Sequence, residues 1–155
     1  MNEEKFYTFC YLTKILDNFL TPSEEDYIEM IYRIYMQTNS PIRVNDLASK
    51  LNVKPPSVTK MIKKLSSRNI LSFQKFKHIY LSDKGMAIGK FLINRHNIIE
   101  KFLKILNTNV NLTYETEKIE HTLSNETLCK INLLIDFFEK YENASKNFYN
   151  FCRNH

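Results

Sequence analysis

Val44-Asn45-Asp46-Leu47-Ala48-Ser49-Lys50-Leu51-Asn52-Val53-Lys54-Pro55-Pro56-Ser57-Val58-Thr59-Lys60-Met61-Ile62-Lys63-Lys64-Leu65 is the stretch on which the fold of this 155-residue chain turns. Val44, Leu47, Ala48 and Leu51 recur at intervals of three and four, the spacing of one buried face of a short helix. Asn52-Val53-Lys54 reads as a turn. Pro55-Pro56 then opens a second helix, because proline in a first turn sacrifices no intrahelical hydrogen bond. That helix turns Val58, Met61, Ile62 and Leu65 inward and leaves Ser57, Thr59, Lys60, Lys63 and Lys64 outside. Two short helices joined by a three-residue turn, the second polar and basic on its outer face, predict a helix-turn-helix. Leu71-Ser72-Phe73 and Ile79-Tyr80-Leu81 follow as two β-runs around the cationic tip Lys75-Phe76-Lys77-His78. Helix, helix and basic hairpin in that order predict a winged helix.

Upstream, Thr21-Pro22-Ser23-Glu24 is a helix-start signal in which Thr21 caps, Pro22 takes the first position and Glu24 completes a capping box. The helix runs through Tyr27, Ile28, Ile31, Tyr32 and Ile34 to about Gln37, where Asn39-Ser40-Pro41 ends it. Before it, residues 6–20 read as a further helix with Phe9, Leu12, Leu16 and Phe19 on one face. Downstream, a long helix is expected from Asp83 to Leu106. After a break at 107–111 come helices over about 113–123, 125–141 and 142–152. Leu128, Ile131, Leu134, Ile135 and Phe138 form a stripe wider than so small a chain needs internally, and a dimer interface is its natural use, with a self-contained core as the competing reading.

Composition narrows the function classes. Gly85 and Gly89 are the only glycines, against roughly ten at average usage. Gly-rich phosphate loops are thereby excluded, and a mostly helical chain with ends closed by Asn, Ser and Pro is expected. The length excludes a large multidomain enzyme. The acidic start and its broken apolar pattern fit neither a secretory leader nor a membrane span. Three widely separated cysteines, Cys10, Cys129 and Cys152, favour a reducing cytoplasm. The net charge of +5 hides an asymmetry: residues 41–95 hold twelve Lys or Arg against Asp46 and Asp83, while the remainder is net acidic. Such a block suits a polyanion, since each phosphate neutralised releases condensed counterions.

Acids and imidazoles also fall at helical spacings. Glu117, Glu120 and His121 stand at i, i+3 and i+4 and leave one helix face. Asp26 and Glu29 share a face of the helix before the helix-turn-helix, and His96 lies on the long helix between the two regions. Gathered together, these groups repel one another unless a divalent cation stands among them. Carboxylates with imidazoles and no thiolate suit Mn²⁺ or Fe²⁺ over tetrahedral structural Zn²⁺. The charge of Asp26, Glu29, Glu117 and Glu120 allows two ions per subunit without demanding them. Ordinary readings stand beside this one: first-turn acids favoured by the helix dipole, an exposed helix histidine, and a solvated face at 117–121. Spacing alone does not bring three helices together.

Four separated motifs occur in order: Thr21-Pro22-Ser23-Glu24-Glu25-Asp26-Tyr27-Ile28-Glu29, Pro55-Pro56-Ser57-Val58-Thr59-Lys60-Met61, Arg95-His96 and Glu117-Lys118-Ile119-Glu120-His121. From about Thr21 to Glu139 the chain resembles the diphtheria toxin repressor family, and within it the manganese transport regulator branch. The resemblance implies a mainly α, dimeric repressor that binds double-stranded operator DNA when loaded with Mn²⁺ or Fe²⁺. It implies metal ligands at Asp26 and Glu29, at His96, and at Glu117, Glu120 and His121. Asp26 and Glu120 resemble the manganese branch, where the iron branch has Met and Cys. The layout expected is an extra N-terminal helix at 1–20, a winged helix-turn-helix domain at 21–90, and a linker helix with an all-helical metal-binding and dimerisation domain at 91–155, with no SH3-like domain. The chain departs from the branch at its first twenty residues, at Pro56 in place of Ser, at His78 in place of a wing-tip Gly, and at Thr122 in place of a second histidine.

On this reading metal couples the two domains and sets the spacing of two recognition helices. Ser57, Thr59, Lys60 and Lys63 contact DNA, and Lys75 and Lys77 reach phosphates from the wing. The expected partners are operator DNA and a second copy of the chain, in the cytoplasm, with neither a membrane nor a small-molecule substrate. The alternatives are an Fe²⁺-responsive regulator on the same scaffold, a dimetal hydrolase (for which no nucleophile or oxyanion device is visible) and a metal-independent winged-helix repressor.

Overall fold

The computed structural model describes residues 20–74, 78–107 and 111–153; the predicted helix at 6–20, save its last residue, and the wing-tip residues Lys75 and Lys77 lie outside them. The chain divides into two compact units, Leu20–Ile93 and, among the described residues, Asn94 onward. The first holds α1 (Pro22–Thr38), β1 (Ile42–Arg43), α2 (Val44–Lys50), α3 (Pro55–Ser67), β2 (Leu71–Gln74), β3 (His78–Leu81) and the start of α4 (Asp83–Ile105). The second holds the rest of α4 with α5 (Leu112–Glu120), α6 (Asn125–Lys140) and α7 (Glu142–Arg153).

α1 begins as its sequence dictates. The Thr21 hydroxyl accepts from the Glu24 backbone N–H, and the Glu24 carboxylate accepts from the Thr21 backbone N–H at 2.8 Å. α1 packs against α2, α3 and β1. Ile28, Ile31, Leu47, Val58, Ile62 and Leu65 are wholly buried, whereas the predicted core residues Leu51 and Met61 are half-buried because they flank that face. The sheet is antiparallel in the order β1-β3-β2, with Ile42 opposite Ile79 and Arg43 opposite His78. β1 was not expected: two residues are too few to show an alternation.

Scarcity of glycine is met in a particular way. Every positive φ among the described residues falls on asparagine: Asn39 (47°) closing α1, Asn52 (53°) in the helix-turn-helix turn, Asn69 (56°) after α3 and Asn107 (53°) after α4. The short amide side chain tolerates the left-handed region better than other non-glycine residues. Both glycines sit inside α4 with ordinary φ and serve close packing. A Cβ on Gly85 would lie 2.2 Å from the Ile70 carbonyl oxygen, and one on Gly89 would lie 2.6 Å from Tyr32.

In the second unit, Ile99, Leu103, Leu128 and Ile135 are buried, and Phe138 packs its ring on Phe148 at 5.2 Å. Of the predicted α6 stripe, Leu134 is exposed, along with neighbouring Leu133, Phe137 and Tyr141. The expected helix at 113–123 ends early, at Glu120. Ser124 caps α6 in extended conformation, its hydroxyl accepting from Thr127 N–H, so the chain must leave the helix before it. Cys152 is a free thiol, but Cys129 is disulfide-bonded, at odds with the unpaired thiols a reducing compartment favours.

Candidate metal centre and nucleic-acid interface

The nucleic-acid face follows from α3. Pro55 and Pro56 form its first turn, and Val58, Ile62 and Leu65 anchor it in the core. Ser57, Lys60 and Lys63 are exposed on the opposite side. Thr59 is half-buried, and its hydroxyl donates to the Pro55 carbonyl at 3.1 Å, which leaves the oxygen lone pairs for a further donor. A polar, cationic helix face held by an apolar back is the arrangement that enters a major groove.

Glu24 does more than cap. It is 1% exposed, and while one carboxylate oxygen serves Thr21, the other accepts from Arg68 at 2.8 Å and pairs with Lys64 Nζ at 3.2 Å. The carboxylate thus ties the start of α1 to the C-terminal end of α3. Burial alone raises its pKa, but the Thr21 backbone N–H, Lys64, the Thr21 hydroxyl and Arg68 together outweigh burial and bring it down to about 2. Sequence reasoning found the local partner and missed the distant ones, because nothing in linear spacing links residue 24 to residues 64 and 68.

The predicted metal ligands are shared between the units. On α1, Asp26 is exposed, and Glu29 accepts from Arg33 Nε at 2.9 Å and Nη2 at 2.7 Å. In the second unit, His96 of α4 and Glu120 of α5 meet, with Nδ1 at 2.8 Å from Oε2. Glu120 is buried, and His121 places Nε2 3.7 Å from its other oxygen. An ionised carboxylate can only accept, so in the neutral imidazole this contact places the proton on Nδ1 and the ring lone pair on Nε2, the tautomer control typical of ligating histidines. Glu117 is exposed on α5, one turn before Glu120. His121 is the cap residue after α5, so the three do not leave one regular helix as their spacing predicted. Among the described residues no group of three or more His, Cys, Asp or Glu is gathered at ligand spacing. In donor chemistry, carboxylate and imidazole with no thiolate, Glu120, His96 and His121 suit a hard or borderline divalent ion.

Residues 19–79 match the family model of the iron-dependent repressor N-terminal DNA-binding domain, and residues 82–148 match that of the iron-dependent repressor metal-binding and dimerisation domain. The chain is 41% identical over 127 residues to the HTH-type transcriptional regulator MntR of Listeria monocytogenes, covering 81% of this chain and 89% of that one. It is also 41% identical over 123 residues to the MntR of Geobacillus thermodenitrificans, covering 79% and 86%. Among solved structures it is similar to the metal-dependent transcriptional regulator MtsR (36% identity, TM-score 0.67) and to the manganese regulator SloR (29% identity, TM-score 0.63). It covers 76% of its own length in each comparison and spans 55% of each solved chain.

Proposed function

We propose, for a chain that belongs to the iron-dependent repressor family and is thereby a metal-dependent transcriptional repressor and not an enzyme, that Mn²⁺ is the ion controlling its hold on operator DNA. The observation that carries this reading is the His96–Glu120 contact at a buried carboxylate, in a donor set of oxygen and imidazole nitrogen only. The two relatives named MntR and the manganese regulator SloR support the same ion.

In this proposal Glu117, Glu120, His121 and His96 supply donors from residues 91–155, and Asp26 and Glu29 from residues 21–90. Residues 1–20 are an addition to the family plan. When bound, the ion supplies the divalent charge that lets these carboxylates stand together, with one or two ions per subunit. The chain's own residues do the rest. Glu120 fixes the His96 tautomer, and Arg33 neutralises and holds Glu29 until that carboxylate is recruited. Ser57, Thr59, Lys60 and Lys63 meet base edges and phosphates, with Lys75 and Lys77 on the backbone from the wing. Two copies present two recognition helices to one duplex, in the cytoplasm where that duplex lies.

The test is DNA binding by the full chain to its own upstream region, with and without chelator, across Mn²⁺, anaerobic Fe²⁺ and Zn²⁺. Mn²⁺ should restore binding, and Glu120→Ala should abolish the response in a folded dimer. Binding that ignores chelator would leave a metal-independent repressor. Restoration by Fe²⁺ alone would move the chain to the iron-responsive class.

A further inference from the structure

A concave surface of about 590 Å³ lies in the first unit, lined by Arg43, Val44, Asn45, Pro55, Pro56, Thr59 and His78. Its two cationic or potentially cationic members are fixed by the sheet. Ile42 and Ile79 face each other and are buried, at 3% and 1% exposure. Side chains alternate along a strand, so the next pair, Arg43 and His78, shares the opposite face, away from the core. Directly opposed groups of this kind are unfavourable neighbours when both are charged. Yet neither side chain has a hydrogen bond or ion pair among the described residues, and no carboxylate is among the described residues that line the cleft.

The cleft suits an anion, which none of its described lining residues provides. It opens against the first turn of α3, where Pro55 and Pro56 carry no N–H and the Ser57 N–H is taken by the Lys54 carbonyl at 3.0 Å. A helix start commonly holds a phosphate with its free amides; here those amides are missing, so side chains must do the holding. Arg43 offers the planar fork that matches a phosphate, His78 a ring N–H, and Asn45 an amide within the same wall.

We infer that Arg43 and His78 together grip one backbone phosphodiester of duplex DNA beside the recognition helix, fixing the register at which α3 enters the groove. The inference rests on the DNA-binding reading above and adds a contact outside the α3 face and the wing-tip lysines. It also gives a use to histidine at position 78, where the resemblance leads one to expect glycine.

The experiment uses the Mn²⁺-loaded full chain and a fluorescent random-sequence duplex, because a phosphate contact is indifferent to sequence. Arg43→Ala should weaken binding about tenfold and lower the salt slope by about one. His78→Ala should weaken it severalfold. The double variant should lose less than the two losses combined, because both grip the same phosphate. Lys146→Ala, on exposed α7, removes the same charge far along the chain and should change little. Both tested side chains face away from the core, so melting temperatures should match wild type; a lowered one is handled by Arg43→Lys, which keeps charge but not the fork and should still lose affinity. Unchanged affinity in Arg43→Ala, additive losses in the pair, or an equal loss in Lys146→Ala would overturn the inference while leaving the repressor intact. Wild-type protein that failed to bind duplex DNA at all would instead remove the functional reading beneath it.

Discussion

Glu24 shows how much one side chain can carry. Its carboxylate is anchored by Thr21, Arg68 and Lys64 at once, in nearly complete burial. Its folded-state pKa of about 2 lies below the ordinary 4.5. The stability this difference represents, on the order of 3 kcal/mol, is therefore fully present above pH 4.5 and drains away as the pH falls toward 2. Urea denaturation of wild type between pH 3 and about 6 should show that loss, and Glu24→Gln should flatten the profile while costing about 2 kcal/mol at neutral pH. An unaltered acid limb in the variant would place the acid sensitivity elsewhere. Half of this site was legible in the sequence. The capping box is local, four residues long and chemically specific. The pairing with Lys64 and Arg68 depends on how α1 and α3 cross, and only tertiary packing decides that. The same holds for the candidate ligands: Glu117, Glu120 and His121 are visible as neighbours in sequence, but the meeting of His96 with Glu120 joins residues 24 positions apart.

Elements were read most accurately where their ends carry chemistry. α1 and α3 begin at Thr21-Pro22 and Pro55-Pro56, each with a stated reason to start there. The reading failed at β1, too short for a pattern, and at the end of α5, where the cap of the next helix overrides continued apolar spacing. The division of labour between asparagine and glycine gives two predictions of opposite sign. Asn52→Gly should be neutral or slightly stabilising, and Asn52→Ala should cost about 1–2 kcal/mol, because φ of 53° is strained for any residue with an ordinary Cβ. In α4, alanine is intrinsically the better helix former by about 1 kcal/mol, yet Gly85→Ala and Gly89→Ala should both destabilise. Gly85→Ala should be the worse, because its Cβ meets a backbone carbonyl that cannot swing aside, whereas Gly89 meets the Tyr32 side chain. Thermal melts of the four variants decide it; a stabilised Gly85→Ala would mean that α4 can slide away from Ile70 at little cost.

At the scale of the whole molecule, a basic block that grips DNA and an acidic remainder divide the work. Residues 82–148 match a metal-binding and dimerisation domain. Its α6 leaves Leu133, Leu134, Phe137 and Tyr141 between 42% and 49% exposed. Phe137 stands at the middle of that patch, its ring in contact with both Phe138 and Tyr141. An aromatic cluster exposed to this degree on a helix whose other face is buried is the kind of surface a second copy covers. Dimeric helix-turn-helix proteins read half-sites one helical turn of DNA apart, or a multiple of it, so a monomer loses the gain from binding both halves of an operator at once. Phe137→Glu puts a charge at the centre of the patch and leaves every residue of the first unit unchanged. Sedimentation should find it monomeric at concentrations where wild type is a dimer. Its operator affinity in Mn²⁺ should fall by about a hundredfold or more, while the weak affinity for a single half-site is kept. A Phe137→Glu chain that still sediments as a dimer would show that the copies join through another surface, and one that becomes monomeric yet binds the full operator as tightly as wild type would show that repression does not need the pair.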